Sequence, residues 1–315
     1  MHRRTLLAAS LLATPALAQS WPSRTIRIVV PFPPGGTTDF IARLIAVRLS
    51  ATLGVSTVVE NRAGAGGTTG SDLVAKSPPD GTTLLVSNIA SQGVAPSVYR
   101  SLPYDSVRDF THIALIAEIP SVLAINAQRP EQTLADFIAT ARRDPNAWRI
   151  ASPGNGSSSH VKQELFKRLA GIEMTHVPYR GSGPALNDAV AGQIEGIITT
   201  LVEAGRNDRL RLLAVTSAER VPGWPDLPTF AESGFPALVA STWFAISGPA
   251  GLPAPIADRL HADIILALNH PDVVPRLIET GSTPRQLSRA DFQAFVASEV
   301  TRWGDVVRVS GARID

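Results

Sequence analysis

The sequence predicts an α/β fold of two domains, and three observations predict it. Short segments rich in Val, Ile and Leu alternate with Gly/Ser/Pro/Thr loops and then with helix-forming stretches, the order of parallel α/β structure. The chain has 315 residues, enough for two domains of about 150 residues each. Two glycine-bearing strand-to-helix loops fall in each half of the chain. The composition agrees: 44% hydrophobic and 18% charged residues describe a chain with a core, not a disordered one.

The first residues are a basic start, Arg3-Arg4, an apolar stretch, and Ala16-Leu17-Ala18. This is the pattern of a secretory leader cleaved after Ala18. The apolar stretch is shorter than the ~20 residues that span a bilayer, so a membrane anchor is not expected. With 29 basic and 27 acidic residues the whole chain carries +2, and removing Arg3 and Arg4 leaves 27 against 27. A neutral mature chain gives no electrostatic reason to bind nucleic acid. There is no Cys, which excludes disulfides, thiolate metal sites and Cys nucleophiles.

After the leader, Ile26–Val30 reads as a strand and Thr38 to about Leu53 as a helix. Val55–Glu60 is the next strand, and a helix follows from about Gly70 to Lys76. Asp80-Gly81 marks a turn before the strand Thr83–Val86. Phe110–Ala117 and Val122–Ile125 are apolar segments on either side of a crossing point. Leu134–Arg143 reads as a helix with Asp136 in its first turn. Strands are expected at Arg149–Ala151, Thr175–Val177, Ile194–Ile198 and Leu210–Val215, with a helix from about His160 to Leu169. A Pro-rich stretch, Val221 to Pro236, leads to a strand at Trp243–Ile246. In the tail, Phe292, Phe295, Val296, Glu299, Val300, Trp303, Val306 and Val307 recur at helical spacing, a face made for core packing. The resulting division is residues 1–18 as leader, 19–121 with 243–315 as one domain, and 122–242 as the other.

Four loops carry the chemistry. The first, Pro31 to Asp39, holds Gly35 and Gly36 and ends in Thr37, Thr38 and Asp39, any of which can cap the following helix. Glycines let backbone approach a ligand, and a helix start attracts anions. A capped turn without ligand is the other reading. The second, Asn61 to Ser71, has Thr69 where a dinucleotide fingerprint needs Gly. The third, Ser152 to His160, fails that fingerprint at Ser159. The fourth, Val177 to Ala185, contains Arg180, which is either a salt-bridge anchor or a solvated rim charge, and Tyr179, which either meets the ligand or packs in the core.

Two such halves facing each other would enclose a small anion beyond the carboxyl ends of the strands. Micromolar affinity needs about 8 kcal/mol. Three or four charge-assisted hydrogen bonds at ~1.5–3 kcal/mol each are of that order, so a cation is optional. No G-x-S-x-G elbow, phosphate loop or H-E-x-x-H occurs, and the six His lack metal spacing. No catalytic residue, cofactor or metal is therefore expected. A serine hydrolase built on Ser157, Ser158 or Ser159 is the alternative enzyme reading.

The stretches VPFPPGGTTD (Val30–Asp39), VVENRAGAGG (Val58–Gly67), PDGTTLL (Pro79–Leu85), Ser152–His160, VPYRGSGPAL (Val177–Leu186), LRLLAVTS (Leu210–Ser217) and PDLPTFAESG (Pro225–Gly234) resemble the periplasmic solute-binding proteins of tripartite tricarboxylate transporters, the Bug family. The resemblance runs in order over nearly the whole mature chain. It implies a type II periplasmic-binding-protein fold, with two α/β domains, a two-crossing hinge and a ligand cleft. It implies carboxylate binding by Phe32, Pro34, Gly35, Thr37, Thr38 and Asp39 from the first domain. From the second it implies Ser152, Ser157, Ser158, His160, Tyr179, Arg180 and Gly181, with Asn88 and Thr199 as further candidates. The implied partners are a small organic carboxylate and membrane transporter subunits, with a monomeric, periplasmic protein and no enzyme activity. A ligand-dependent sensor subunit would use the same cleft. The segment Thr199–Arg209 looks shortened against relatives and lacks their acid at the turn, which argues against an amino-acid ligand and leaves open whether a dedicated transporter exists.

Overall fold

The computed structural model describes residues 21–279 and 281–314; the leader and its cleavage site after Ala18 lie outside the described residues. The chain begins with β1 (Ile26–Val30), α1 (Thr37–Leu53), β2 (Thr57–Asn61), α2 (Thr68–Ala75) and β3 (Thr83–Asn88). A wide helical turn at Ile89–Val94 runs into α3 (Ala95–Val98), and β4 (Phe110–Ile119) leads to the first crossing. The second domain contains β5 (Ser121–Asn126), α4 (Leu134–Arg143), β6 (Arg149–Ser152), α5 (Ser158–Ala170), β7 (Thr175–Pro178), α6 (Ser182–Ala191), β8 (Gly196–Thr200), α7 (Leu201–Ala204) and β9 (Leu210–Val215). The chain then returns through β10 (Thr242–Pro249), α8 (Ala254–Leu268), α9 (Val274–Ile278), β11 (Thr283–Pro284) and α10 (Arg289–Ser310).

Two sheets result, ordered β11-β4-β10-β3-β1-β2 and β7-β6-β8-β5-β9. β1 pairs in parallel with β2 and β3, placing Ile28 opposite Val59 and Leu84. β6 pairs in parallel with β7 and β8. These are the strand–loop–helix units of the sequence, and each loop opens at the carboxyl end of its strand. The strands at the crossings differ from a purely parallel expectation. β10 runs antiparallel to β3 and β4, and β5 antiparallel to β8 and β9, because the chain reverses as it passes between domains.

The first sheet buries Ile28, Val30, Leu84 and Phe244 against Ile41, Ile45 and Leu49 of α1 and Leu260 and Ile264 of α8. The second packs Phe137, Trp148 and Phe166 into its own core, with Phe137 and Trp148 stacked at 4.1 Å between ring centroids. Each such aromatic contributes roughly 1.5–3 kcal/mol by burial.

In α10, Phe292, Val296, Glu299, Trp303 and Val307 are buried, as the helical spacing predicts. Its Val306 touches the core of the second domain as well as that of the first. Arg302 of α10 also donates to the Val239 carbonyl at 2.6 Å. The last helix therefore spans both halves. Among the described residues no helix is long and apolar enough to cross a membrane.

Candidate ligand cleft

The two hinge crossings are joined by hydroxyls and one lysine. Ser121 opens β5 and Thr242 opens β10, and their Oγ and Oγ1 atoms lie 3.3 Å apart. Lys162 of α5, wholly buried, donates from Nζ to Ser121 Oγ at 2.7 Å and Thr242 Oγ1 at 3.2 Å. Burial, more than the nearby Arg302, brings its ammonium down to about 7.

Above the hinge the loops close on one another. A Cβ on Gly181 would come within 2.9 Å of Pro33 Cγ, so the first and fourth loops touch across the domains. Gly181 also sits at φ +109°, which L side chains rarely adopt. A Cβ on Gly66 would come within 3.1 Å of the Asn155 carbonyl, so the second and third loops meet on the other rim.

Between these contacts lies a cavity of about 70 Å³. It is lined by Phe32, Pro33, Pro34, Gly36, Thr37, Thr38, Asn88, Ala90 and Phe244 on the first-domain side. Pro153, Ser157, Ser158, Ser159, Gly181, Ser182, Gly183, Pro184, Thr199, Thr200 and Glu203 line the second-domain side, with Thr242 at the hinge. Three helix starts, those of α1, α5 and α6, contribute residues to the lining, and the N-terminal end of a helix favours negative charge. Glu203 is the sole ionisable residue in the lining, and no cation lines the cavity among the described residues.

Loop 1 is held from behind. Asp39 is 5% exposed and turned away from the cavity. It accepts from the Gly35 amide at 3.1 Å, from Arg43 Nε at 2.9 Å and from Asn61 Nδ2 at 3.0 Å. Burial raises its carboxyl, but the bonds from Arg43, Asn61 and Gly35 and the Arg43 charge bring it net below the ordinary aspartate range. Asn61 Nδ2 also donates to the Phe32 carbonyl at 3.0 Å, fixing the turn. Asn88 Oδ1 accepts from the amides of Ala90 and Ser91, while its Nδ2 reaches Thr38 Oγ1 at 3.4 Å.

The expectation that Thr37, Thr38 or Asp39 caps α1 is corrected. The N-cap is Gly36, and no local side chain closes it. The cap comes from the other domain. Thr37 N–H donates to Glu203 Oε1 at 2.9 Å and Thr37 Oγ1 donates to the same oxygen at 2.8 Å. Thr199 Oγ1 donates to Glu203 Oε2. Thr37 Oγ1 also lies 2.6 Å from Thr200 Oγ1. The Thr199–Arg209 segment has no acid at the turn itself, as read from the sequence, yet it does bring one to the cleft, Glu203. The acid follows β8 by one turn, in α7, rather than lying at the strand end. The argument against an amino-acid ligand that rested on its absence falls with it.

The predicted residues divide into two sets. Phe32, Pro34, Thr37, Thr38, Asn88, Ser157, Ser158, Gly181 and Thr199 are brought together around the cavity. Gly35, Asp39, Ser152, His160, Tyr179 and Arg180 stand outside its lining. Gly35 and Asp39 shape loop 1. Ser152 Oγ lies 2.6 Å from His176 Nε2 and accepts from the Gly154 amide at 3.1 Å. His160 stacks on His176 at 4.1 Å, accepts at Nδ1 from the Gly156 amide, and is lowered below the usual histidine range by burial. Tyr179 donates to Asp188 at 2.7 Å, and burial with that bond raises its phenol to about 12. Arg180 is exposed. Ser159, Ser182, Thr200, Glu203 and Thr242 are lining residues the sequence did not single out as ligand contacts. Ser182 sits at a helix start that was legible; Glu203 and Thr242 became visible only through tertiary placement. The hydroxyl of Ser157 accepts from the His160 backbone amide at 3.2 Å, and among the described residues the rings of His160 and His176 pair with the Gly156 amide and Ser152 Oγ rather than with Ser157, Ser158 or Ser159, so no histidine base is set against these hydroxyls.

Comparison with known proteins decides the family. Residues 41–312 match the profile described as tripartite tricarboxylate transporter family receptor. The chain belongs to that receptor family. BugT of Bordetella pertussis is 38% identical, with the match covering 98% of this chain and 96% of BugT. MatC from Rhodopseudomonas palustris, solved with bound malate, is 35% identical with a TM-score of 0.87, over 91% of this chain and 100% of that one. The R. palustris protein Rpa4515, solved with adipate, is 37% identical with a TM-score of 0.89, over 93% and 100%. As a member of the receptor family, the protein is a periplasmic-type solute-binding protein rather than an enzyme, and its two α/β domains form the type II periplasmic-binding-protein fold.

Proposed function

We propose that the protein captures a small organic carboxylate in the cleft and delivers it to the membrane subunits of a tripartite tricarboxylate-type transporter. The observation that carries this is the convergence of three helix starts and a set of serine and threonine hydroxyls on one small cavity that, among the described residues, has no lining cation. Helix-start amides and hydroxyls stabilise an anion with fixed dipoles. The malate and adipate held by its relatives support the ligand class. Thr37, Thr38, Ser157, Ser158 and Gly181 are the proposed contacts.

The chain acts as an exported monomer after cleavage at Ala18, divided at residues 121/122 and 242/243. The hydroxyl-and-lysine hinge at Ser121 and Thr242 supports that division. A panel of mono-, di- and tricarboxylates in a thermal-shift assay tests the reading. At 100-fold saturation a true ligand adds about 2.7 kcal/mol and raises the melting temperature by several degrees. A panel without any stabilising acid would sink it.

A further inference from the structure

The carboxylate of Glu203 already sits where a ligand carboxylate would dock on α1. It accepts the first free amide of that helix and the hydroxyls of Thr37 and Thr199, so one of the three anion-binding helix starts is filled by the protein's own side chain. The fit is close: a Cβ on Gly36 would lie 3.4 Å from Glu203 Oε1. Among the described residues no other ionisable residue lines the cavity.

We propose that Glu203 is a built-in occupant of one carboxylate subsite, and that it makes this receptor select monocarboxylates over dicarboxylates. The proposal rests on the carboxylate-binding reading above and narrows it. A monocarboxylate places its charge on the helix starts of α5 and α6, beside Ser157, Ser158 and Ser182, and turns its other end toward Glu203. A dicarboxylate has two courses, and both weaken it. Its second carboxylate can stay beside Glu203, where like charges repel. Alternatively it displaces Glu203, and the carboxylate's three hydrogen bonds, two of them across the domains from Thr37 and one from Thr199, are broken before the ligand's own are made. A neutral residue at this position removes both penalties.

Isothermal titration of the exported chain, Glu203→Ala and Glu203→Gln with matched acids, butyrate against succinate and hexanoate against adipate, tests the proposal. Glu203→Ala empties the subsite, and Glu203→Gln removes the charge while keeping the shape, which preserves the test if the alanine variant folds poorly. Both variants are expected to bind the dicarboxylates about ten-fold tighter or more, with monocarboxylate affinity moving by less than about three-fold. Dicarboxylate affinity that is unchanged or weaker in both variants overturns the assignment of Glu203. Absence of binding by every acid to all three proteins overturns instead the carboxylate reading beneath it.

Discussion

Asp39 and Arg180 mark how far single residues could be read. Both lie inside loops that the sequence correctly placed beyond strand ends, yet neither faces the cavity. A loop assignment says which backbone approaches the ligand and leaves open which way each side chain points. For Asp39 the direction follows from its partners: the Gly35 amide, Arg43 and Asn61 lie behind the loop. Replacing Asp39 with Ala removes the acceptor shared by the Gly35 amide, Arg43 and Asn61, although Asn61 keeps its bond to the Phe32 carbonyl. It is expected to lower stability by about 1–3 kcal/mol in urea unfolding at pH 7 and to loosen ligand binding with it. Arg180 is exposed and off the lining, so Arg180→Gln is expected to change carboxylate affinity by less than about two-fold. A several-fold loss in titration would place its guanidinium on the ligand after all.

The elements were legible wherever their signals are local. Strand alternation, glycine after β1 and β6, and the apolar stripe of α10 all follow from neighbours within a turn or two. The cap of α1 was not, because its acceptor is 166 residues away in sequence and belongs to the other domain. Lys162 is a second case. In α5 it looks like one more polar helix residue, but the fold drives it under the hinge between Ser121 and Thr242. Its ammonium is lowered from 10.5 to about 7, mainly by desolvation. Between those values the unfolded chain holds a proton that the folded one does not. Stability is therefore expected to rise as pH goes from about 7 to about 10.5, and the burial penalty, several kcal/mol, is present in full below that window. Lys162→Met should be more stable than the parent at pH 7 and lack that rise in a denaturant series. A parent curve no steeper than the variant's would show that the hinge hydroxyls compensate the charge completely.

At the scale of the whole molecule, the two domains are tied by α10, by the rim contacts and by Glu203, while charge contributes little to their union. The whole chain carries only +2, so the proposed anion preference is a matter of helix starts inside the cleft rather than of a basic surface. Acid acts on the whole fold through a different set of groups. Burial holds His112 of β4 down at about 4 and His176 of β7 at about 3, and it also lowers His160 of α5. His112 is 2% exposed and bridges Ser247 Oγ and the Ser106 carbonyl at 2.9 Å each. Burial therefore favours the neutral form of all three in the folded protein. As pH falls below the ordinary histidine value of 6.5, the unfolded chain takes up protons that the folded one refuses, so stability falls with pH until the folded values are reached. His112 alone accounts for about 2 kcal/mol between pH 7 and pH 5. Because His112 lies in one sheet and His160 and His176 flank the other, both domains should weaken in the same window. Urea unfolding at pH 7 and pH 5, with His112→Gln beside the parent, measures this. The parent is expected to lose more stability than the variant, and calorimetry in buffers of different ionisation enthalpy should find protons taken up on unfolding near pH 5.5. Equal losses in the two proteins, with no proton uptake, would mean that the buried histidines are already charged in the fold.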